Sequence, residues 1–381
     1  MPPTTSSRRQ FPRHRIPVSR RQFIAEPLKA AIAVLAVAGA IALVLLLSGF
    51  RRGIGDQVTT YLDHQPSVLV GQAGARDFLS QTSVLSEATI RRVEALPDIG
   101  DASPITEGYA MLRLHGKRVL TVLVGSDTGR RGGPWALAAG RAPRALREIS
   151  VDRVLADEHR LRLGSTLRFR GENLRVVGLT SGTSGFMTPL AFTTRQTANR
   201  LNEQPKTATF LLVAPRRGLA PQAAAAAIER AVPGVSARLS SEVARNDRAL
   251  FVGAFSGPLA AMVAIAAAVA VMVIAITVYA ETRDRSREYA TLKAIGMTRR
   301  GILGLVAYEA TALAVTGTLL GVLVAVLAAR SVTALAPKYL IALTPADAVG
   351  MGVAALVFAL LAGFFPARFL AHLDPATAFD S

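Results

Sequence analysis

Few residues in this sequence have both the type and the spacing for chemistry. The five histidines, His14, His64, His115, His159 and His372, are scattered with no metal-ligand interval among them. There is no cysteine, which removes disulfides and thiolate metal sites. A phosphate loop of the form Gly-x-x-x-x-Gly-Lys-Ser/Thr is absent, so ATP is not bound by that device. Thr180-Ser-Gly-Thr-Ser-Gly185 reads as a flexible loop and not as a Gly-x-Ser-x-Gly nucleophile elbow. No His or Asp pair lies within the apolar runs to suggest an intramembrane hydrolase.

The chemistry that remains is electrostatic. Residues 281–300 carry Arg283, Arg285, Arg287, Lys293, Arg299 and Arg300 against Glu281, Asp284 and Glu288, between two apolar runs. A short basic loop between membrane-length segments marks the cytoplasmic side. Within it Ala290, Leu292, Ala294 and Ile295 alternate with polar residues as in a short amphipathic helix, and Gly296 stands where a C-cap would. Such a helix offers a surface to a soluble partner; the plain alternative is a solvated charged loop. Glu309 sits about two turns into the next apolar run, where an ionisable group is costly. It serves transport or hydrogen-bonds within the charged loop, and the structural role is the simpler reading. Gly317 and Gly321 make a small-xxx-small face through which helices approach closely.

The elements that hold these groups are apolar runs. Of 381 residues 51% are hydrophobic, and they cluster into uncharged stretches instead of spreading as in a soluble core. Residues 30–50 carry no charge and span about 31 Å as a helix, the hydrocarbon thickness. That run is too long for a signal-peptide core and no Ala-x-Ala site follows, so it reads as an uncleaved first span. Further spans fall at 254–280, 302–329 and 346–366, the last introduced by Thr344 as N-cap with Pro345 and Asp347 in its first turn. About a third of the net charge of +18 lies in a basic tail and surface helix at 1–29, and more lies in the loop at 281–301, beside the spans. Basic flanks of this kind fit anionic membrane lipids and do not call for nucleic acid.

Residues 51–253 change to polar, mixed-charge sequence with short alternating stretches, a compact α+β domain with its own core. Strands are expected at 68–70, 109–114, 118–124, 148–151, 166–169, 174–179 and 210–213, with a hairpin at His115-Gly116-Lys117 and a tight turn at 170–173. Helices are expected at 86–96, capped by Ser86 and stopped by Pro97, and at 221–231. An outer loop at 330–345 and a cytoplasmic tail at 367–381 complete the order. The fold class is thus an α-helical membrane protein with four transmembrane helices and a large extracytoplasmic α+β domain inserted between the first and second. Both termini are expected in the cytoplasm.

Arg287-Glu-Tyr-Ala-Thr-Leu-Lys-Ala-Ile-Gly296, with Glu309 thirteen residues on, resembles the cytoplasmic loop of FtsX/MacB-type ABC transporter permeases, nearest to the DevC-like branch. Phe365-Pro-Ala-Arg368 with Asp374-Pro-Ala-Thr-Ala378 is similar to that family's ending. Gly140-Arg-Ala-Pro143, Arg162-Leu-Gly164 and Val176-Val-Gly178 are similar to its MacB-like core domain, here 51–253. The resemblance implies a coupling helix in which Arg287, Glu288, Tyr289, Leu292, Lys293 and Gly296 meet the groove of a separate ABC ATPase. Glu309 would then be the family's acidic residue near the start of the third helix. It further implies a second permease chain, as homo- or heterodimer, and mechanotransmission from the ATPases to the outer domains. This chain would bind no cofactor and catalyse nothing itself, ATP being bound by the partner subunit. An exporter working with a periplasmic membrane-fusion adaptor and outer-membrane channel, in the bacterial inner membrane, is the expected function. The alternative is an FtsX-like relay controlling an extracytoplasmic cell-wall hydrolase; a receptor or adhesin without an ATPase would make the loop a coincidence.

Overall fold

The apolar runs become helices, and each helix outlasts its run. A computed structural model describes residues 27–372, apart from 82, 115–116, 186–187, 205, 286–287, 290, 293–294 and 337 and the side chains of 255–256 and 365–372. Most of the basic tail, the His115-Gly116 hairpin link and the tail from 373 lie outside the described residues. Four helices among these are long and apolar enough to cross a membrane. We name them α1 (Pro27–Thr59) and, after four shorter helices, α6 (Ser240–Asp284), α7 (Arg299–Leu335) and α8 (Pro345–His372).

The excess length has local causes. Once formed, a helix gains a hydrogen bond for each residue added, so it stops at a breaker and not at the edge of an apolar run. In α1 the turns beyond residue 50 place Ile54 and Val58 on one buried face, four residues apart. α8 was expected to end at Phe365-Pro366 and instead runs on to His372. One proline removes one backbone donor, a loss that membrane helices tolerate. α6 likewise passes through Pro258. At the start of α8 the Thr344 hydroxyl accepts the Asp347 N–H at 3.3 Å, and the Asp347 carboxylate accepts the Thr344 N–H at 3.1 Å, a reciprocal capping box.

The chain divides into two units. The helical one comprises residues up to 45 and the stretches 263–327 and 343 onward; the other comprises 46–262 and 328–342. In the helical unit α7 packs on α1, and Gly363 of α8 faces Val306 and Val278.

The second unit is α+β. Its strands are β1 (Val68–Gln72), β2 (Leu85–Ser86), β3 (Ile99–Leu114), β4 (Lys117–Ser126), β5 (Leu137–Gly140), β6 (Glu148–Asp152), β7 (Thr166–Phe169), β8 (Glu172–Thr180), β9 (Leu190–Thr194), β10 (Thr207–Ala208), β11 (Phe210–Pro215) and β12 (Val235–Leu239). Its helices are α2 (Glu87–Glu94), α3 (Arg153–Glu158), α4 (Arg195–Leu201) and α5 (Pro221–Ala231). Among the described residues ten strands form one mixed sheet in the order β12-β1-β11-β3-β4-β9-β6-β8-β5, with β7 bridging β3 and β8. Alternate residues feed different clusters: Leu211 and Val213 of β11 join Val68, Ile90 and Ile228, while Phe210 and Leu212 join Tyr61, Phe78 and Phe192. The β7–β8 link is two residues, Arg170 and Gly171, both at positive φ (46° and 85°), the type I′ geometry that suits strand twist.

The Ser86 hydroxyl accepts the Thr89 N–H at 3.1 Å and so caps α2. Ser86→Ala is expected to cost about 1 kcal/mol, read as a lower thermal midpoint of the full chain in detergent. An unchanged midpoint would deny the cap any role.

Candidate functional site

The charged stretch of the sequence is the connection between α6 and α7 in the helical unit. The Arg285 N–H donates to the Glu281 carbonyl at 3.3 Å, and the Tyr289 N–H to the Arg285 carbonyl at 3.1 Å. Glu288, Tyr289, Thr291 and Leu292 are helical. Gly296 ends this helical stretch at φ +100°, a conformation that a Cβ would strain. From there the Met297 N–H reaches back to the Leu292 carbonyl at 2.9 Å, the six-to-one bond of a Schellman cap. The Leu292 and Met297 side chains pack against Tyr289, Ile302 and Val306, supplying the apolar contact that accompanies such caps. Thr298 caps α7, its hydroxyl accepting the Gly301 N–H at 3.3 Å.

This scaffold brings three polar groups together. Glu309, about three turns into α7, is 6% exposed. Its Oε1 accepts from Arg285 Nη1 at 2.9 Å, and its Oε2 from the Tyr289 hydroxyl at 2.7 Å. Burial and then the Glu309 charge push the Tyr289 phenol up, so it stays a donor. Burial alone would lower the Arg285 pKa, but the Glu309 and Glu281 carboxylates outweigh it and raise it. A carboxylate held between a guanidinium and a phenol abstracts no proton and activates no nucleophile. It ties the connecting segment to α7.

Tyr289, expected among the docking residues, turns inward and is 2% exposed. The reason is that its hydroxyl finds its acceptor below the surface, while its ring body fills the cluster around Val306. Leu292 is half-buried, packed against the same cluster. Glu288 is exposed as expected, and Thr291 and Ile295, absent from the expected set, are exposed with it at intervals of three and four. That spacing was the available signal. Ile295 is 77% exposed and is followed by exposed Arg299 and Arg300, so an apolar residue stands out among cations. Arg287 and Lys293 lie outside the described residues. Gly317 and Gly321 are not part of this site; they face Val37, Ala38 and Ile41 of α1.

Two family models match this architecture. One described as the MacB-like periplasmic core domain matches residues 30–231, and one described as the FtsX-like permease C-terminal matches residues 260–375. The chain belongs to the FtsX/MacB-type ABC transporter permeases. An uncharacterized ABC transporter permease of Mycobacterium tuberculosis is 25% identical over 344 residues, 88% of this chain and 90% of that protein. The pyoverdine export ATP-binding/permease protein PvdT of Pseudomonas syringae is 38% identical over 99 residues, 26% of this chain and 15% of that protein. The periplasmic region of MacB from Actinobacillus actinomycetemcomitans aligns with 51% of this chain and 94% of its own at 13% identity and a TM-score of 0.37. This FtsX/MacB-type permease is a membrane protein of the bacterial inner membrane, and permease subunits of ABC transporters are generally non-catalytic.

Proposed function

We propose that this permease is the transmembrane subunit of an ABC exporter, and that the 281–301 connection is the helix seated on its ATPase. ATP is bound by that separate nucleotide-binding subunit, and this chain carries no cofactor. The observation that carries the reading is the two-sided build of the connection. Glu288, Thr291 and Ile295 face outward, while Tyr289 and Arg285 are fastened inward to Glu309. A segment fastened on one side can pass a push on the other into α7 with little slack, which mechanical coupling requires. α1 and α6 each contribute residues to both units. The basic connection and tail fit the cytoplasmic side, with both termini there and the α+β unit outside. Two permease chains with two ATPases give the working unit, with a periplasmic membrane-fusion adaptor and outer-membrane channel as further partners. Export is favoured over control of a cell-wall hydrolase by the relative whose name includes pyoverdine export.

Glu288→Arg reverses one charge on the exposed face and removes neither of the hydrogen bonds that Arg285 and Tyr289 donate to Glu309. We expect normal insertion and folding with loss of most transport-linked ATPase stimulation in reconstituted membranes; full stimulation would refute the docking assignment. Affinity purification from the native membrane in mild detergent, read by mass spectrometry, tests the partners. An ATPase with an adaptor supports the exporter, an ATPase with a cell-wall hydrolase replaces it with the relay, and a complex lacking an ATPase removes both.

A further inference from the structure

The α+β unit holds a second polar site that the coupling reading leaves unused. Glu107 on β3 lines an open cleft of about 340 Å³ with Leu79, Tyr109, Arg170, Asn202 and Thr209. Its side chain is about nine-tenths buried (9% exposed), yet its Oε1 has no hydrogen-bond partner. Three adjacent polar groups have other hydrogen-bond partners. The Thr209 hydroxyl donates to the Glu107 carbonyl and accepts the Glu107 N–H, both at 3.1 Å. The Tyr109 hydroxyl donates to the Leu79 carbonyl at 2.8 Å, and Arg170 Nη1 to the Leu201 carbonyl at 2.7 Å.

A second buried acid deepens the deficit. Asp247 on α6 accepts the N–H groups of Phe78 and Leu79 at 3.1 and 3.2 Å, and its charge acts on Glu107. Burial, then Asp247, push the Glu107 carboxyl up to about 8, and burial pushes Asp247 up to about 7. An unpartnered buried carboxyl oxygen is costly, and three things could relieve it. A metal ion lacks ligands, since no group of three His, Cys, Asp or Glu is suitably placed among the described residues. A proton removes the charge but brings no protein partner to the buried oxygen. A cationic donor entering from the cleft supplies both charge and hydrogen bond.

We propose that this cleft binds a protonated primary amine, carried by a small molecule or a lysine side chain, with Glu107 Oε1 accepting its N–H. The reading is independent of the ATPase assignment, because every residue it uses lies in the α+β unit. Binding requires ionised Glu107, so it strengthens as pH rises through about 8. Among the described residues the titratable groups near Glu107 are Asp247, Tyr61, Tyr109 and Arg170, and of these Asp247 loses its proton over a neighbouring pH range.

The test is calorimetric titration of the full-length protein in detergent with n-butylammonium, a short lysine peptide and tetramethylammonium, at pH 9 and pH 6. We expect saturable binding of butylammonium or the lysine peptide at pH 9, weakened about tenfold or more at pH 6 and in Glu107→Gln. Butylammonium binding identifies a free amine; binding of the peptide alone identifies a lysine side chain. Tetramethylammonium, which has the charge and no N–H, should not bind. No binding, equal binding of tetramethylammonium, or full affinity in a folded Glu107→Gln overturns the proposal. If that variant does not fold, the contrast between the ammonium ions on the wild-type protein decides.

Discussion

Replacing Glu309 with alanine is expected to destabilise the helical unit by about 3 kcal/mol or more, whereas Tyr289→Phe should cost about 1–2 kcal/mol. The asymmetry follows from what each change leaves behind. Without Glu309 the phenol of Tyr289, 2% exposed, loses its acceptor, and Arg285, 20% exposed at the side chain, loses its bonded carboxylate and keeps the more distant charge of Glu281. Without the phenol the carboxylate keeps Arg285 at 2.9 Å. The two changes share one hydrogen bond, so they must not add. In a Glu309→Ala background, Tyr289→Phe should cost almost nothing, giving a coupling energy of about 1–2 kcal/mol. Unfolding of the full-length protein in mixed micelles, followed by far-ultraviolet circular dichroism, measures all four corners of the cycle. Strictly additive losses would mean that the bond contributes nothing. Glu309→Gln keeps an acceptor for the phenol and loses the charge, so it should fall between the two. Because it loosens the fastening without touching Glu288, it should also reduce ATPase stimulation in part while leaving binding of the ATPase intact.

How much of this was legible depended on the range of the interactions. Local signals read correctly: Ser86 before α2, Thr344-Pro345-x-Asp347 before α8, and Arg170-Gly171 between β7 and β8 all act through bonds spanning two or three residues. β9 was missed because Leu190-Ala-Phe-Thr-Thr194 is buried on both faces and shows no alternation. β3 was expected to begin at Tyr109, although a proline at 104 is compatible with a strand that is paired on one side. It starts at Ile99, because around Pro104 it pairs on one side only, with β11, and β4 joins at Ile105. α4 hides Thr197 and Asn199 in the core, where polar residues break the apolar rhythm while being satisfied by Thr194 and Thr207. Glu309 was recognisable as an intramembrane acid, but its partner Tyr289 lies 20 residues away across a connection, and no period in a sequence encodes that distance. The inward turn of Tyr289 therefore had to come from the fold.

The small-residue face of α7 yields the other large effect, and here two glycines on one helix behave differently from a third. A Cβ on Gly321 would lie 2.8 Å from the Ala38 carbonyl oxygen and 3.0 Å from Ile41 Cβ; one on Gly317 would lie 2.6 Å from Val37 Cγ1. Backbone oxygen cannot swing aside, and a valine on a helix is held to one main rotamer. Relief must come from moving α1 and α7 apart, at the expense of the packing around Val37, Ala38 and Ile41, all at most 1% exposed. Alanine offers about 1 kcal/mol of helix propensity over glycine, so open positions should gain from the change. Gly304, with nothing within 4 Å of its Cβ position, is the open one. We expect Gly304→Ala to be neutral or mildly stabilising, and Gly317→Ala and Gly321→Ala each to lose about 1–3 kcal/mol despite the propensity gain. The double variant Gly317→Ile with Gly321→Ile should fail to form the α1–α7 contact. Unfolding in the same micelles ranks the variants. If all three alanine substitutions shifted stability alike, propensity alone would be acting and the close approach of α1 to α7 would carry no energetic weight. In a lipid environment that offers apolar contacts everywhere, such shape complementarity is what makes one helix neighbour preferable to another.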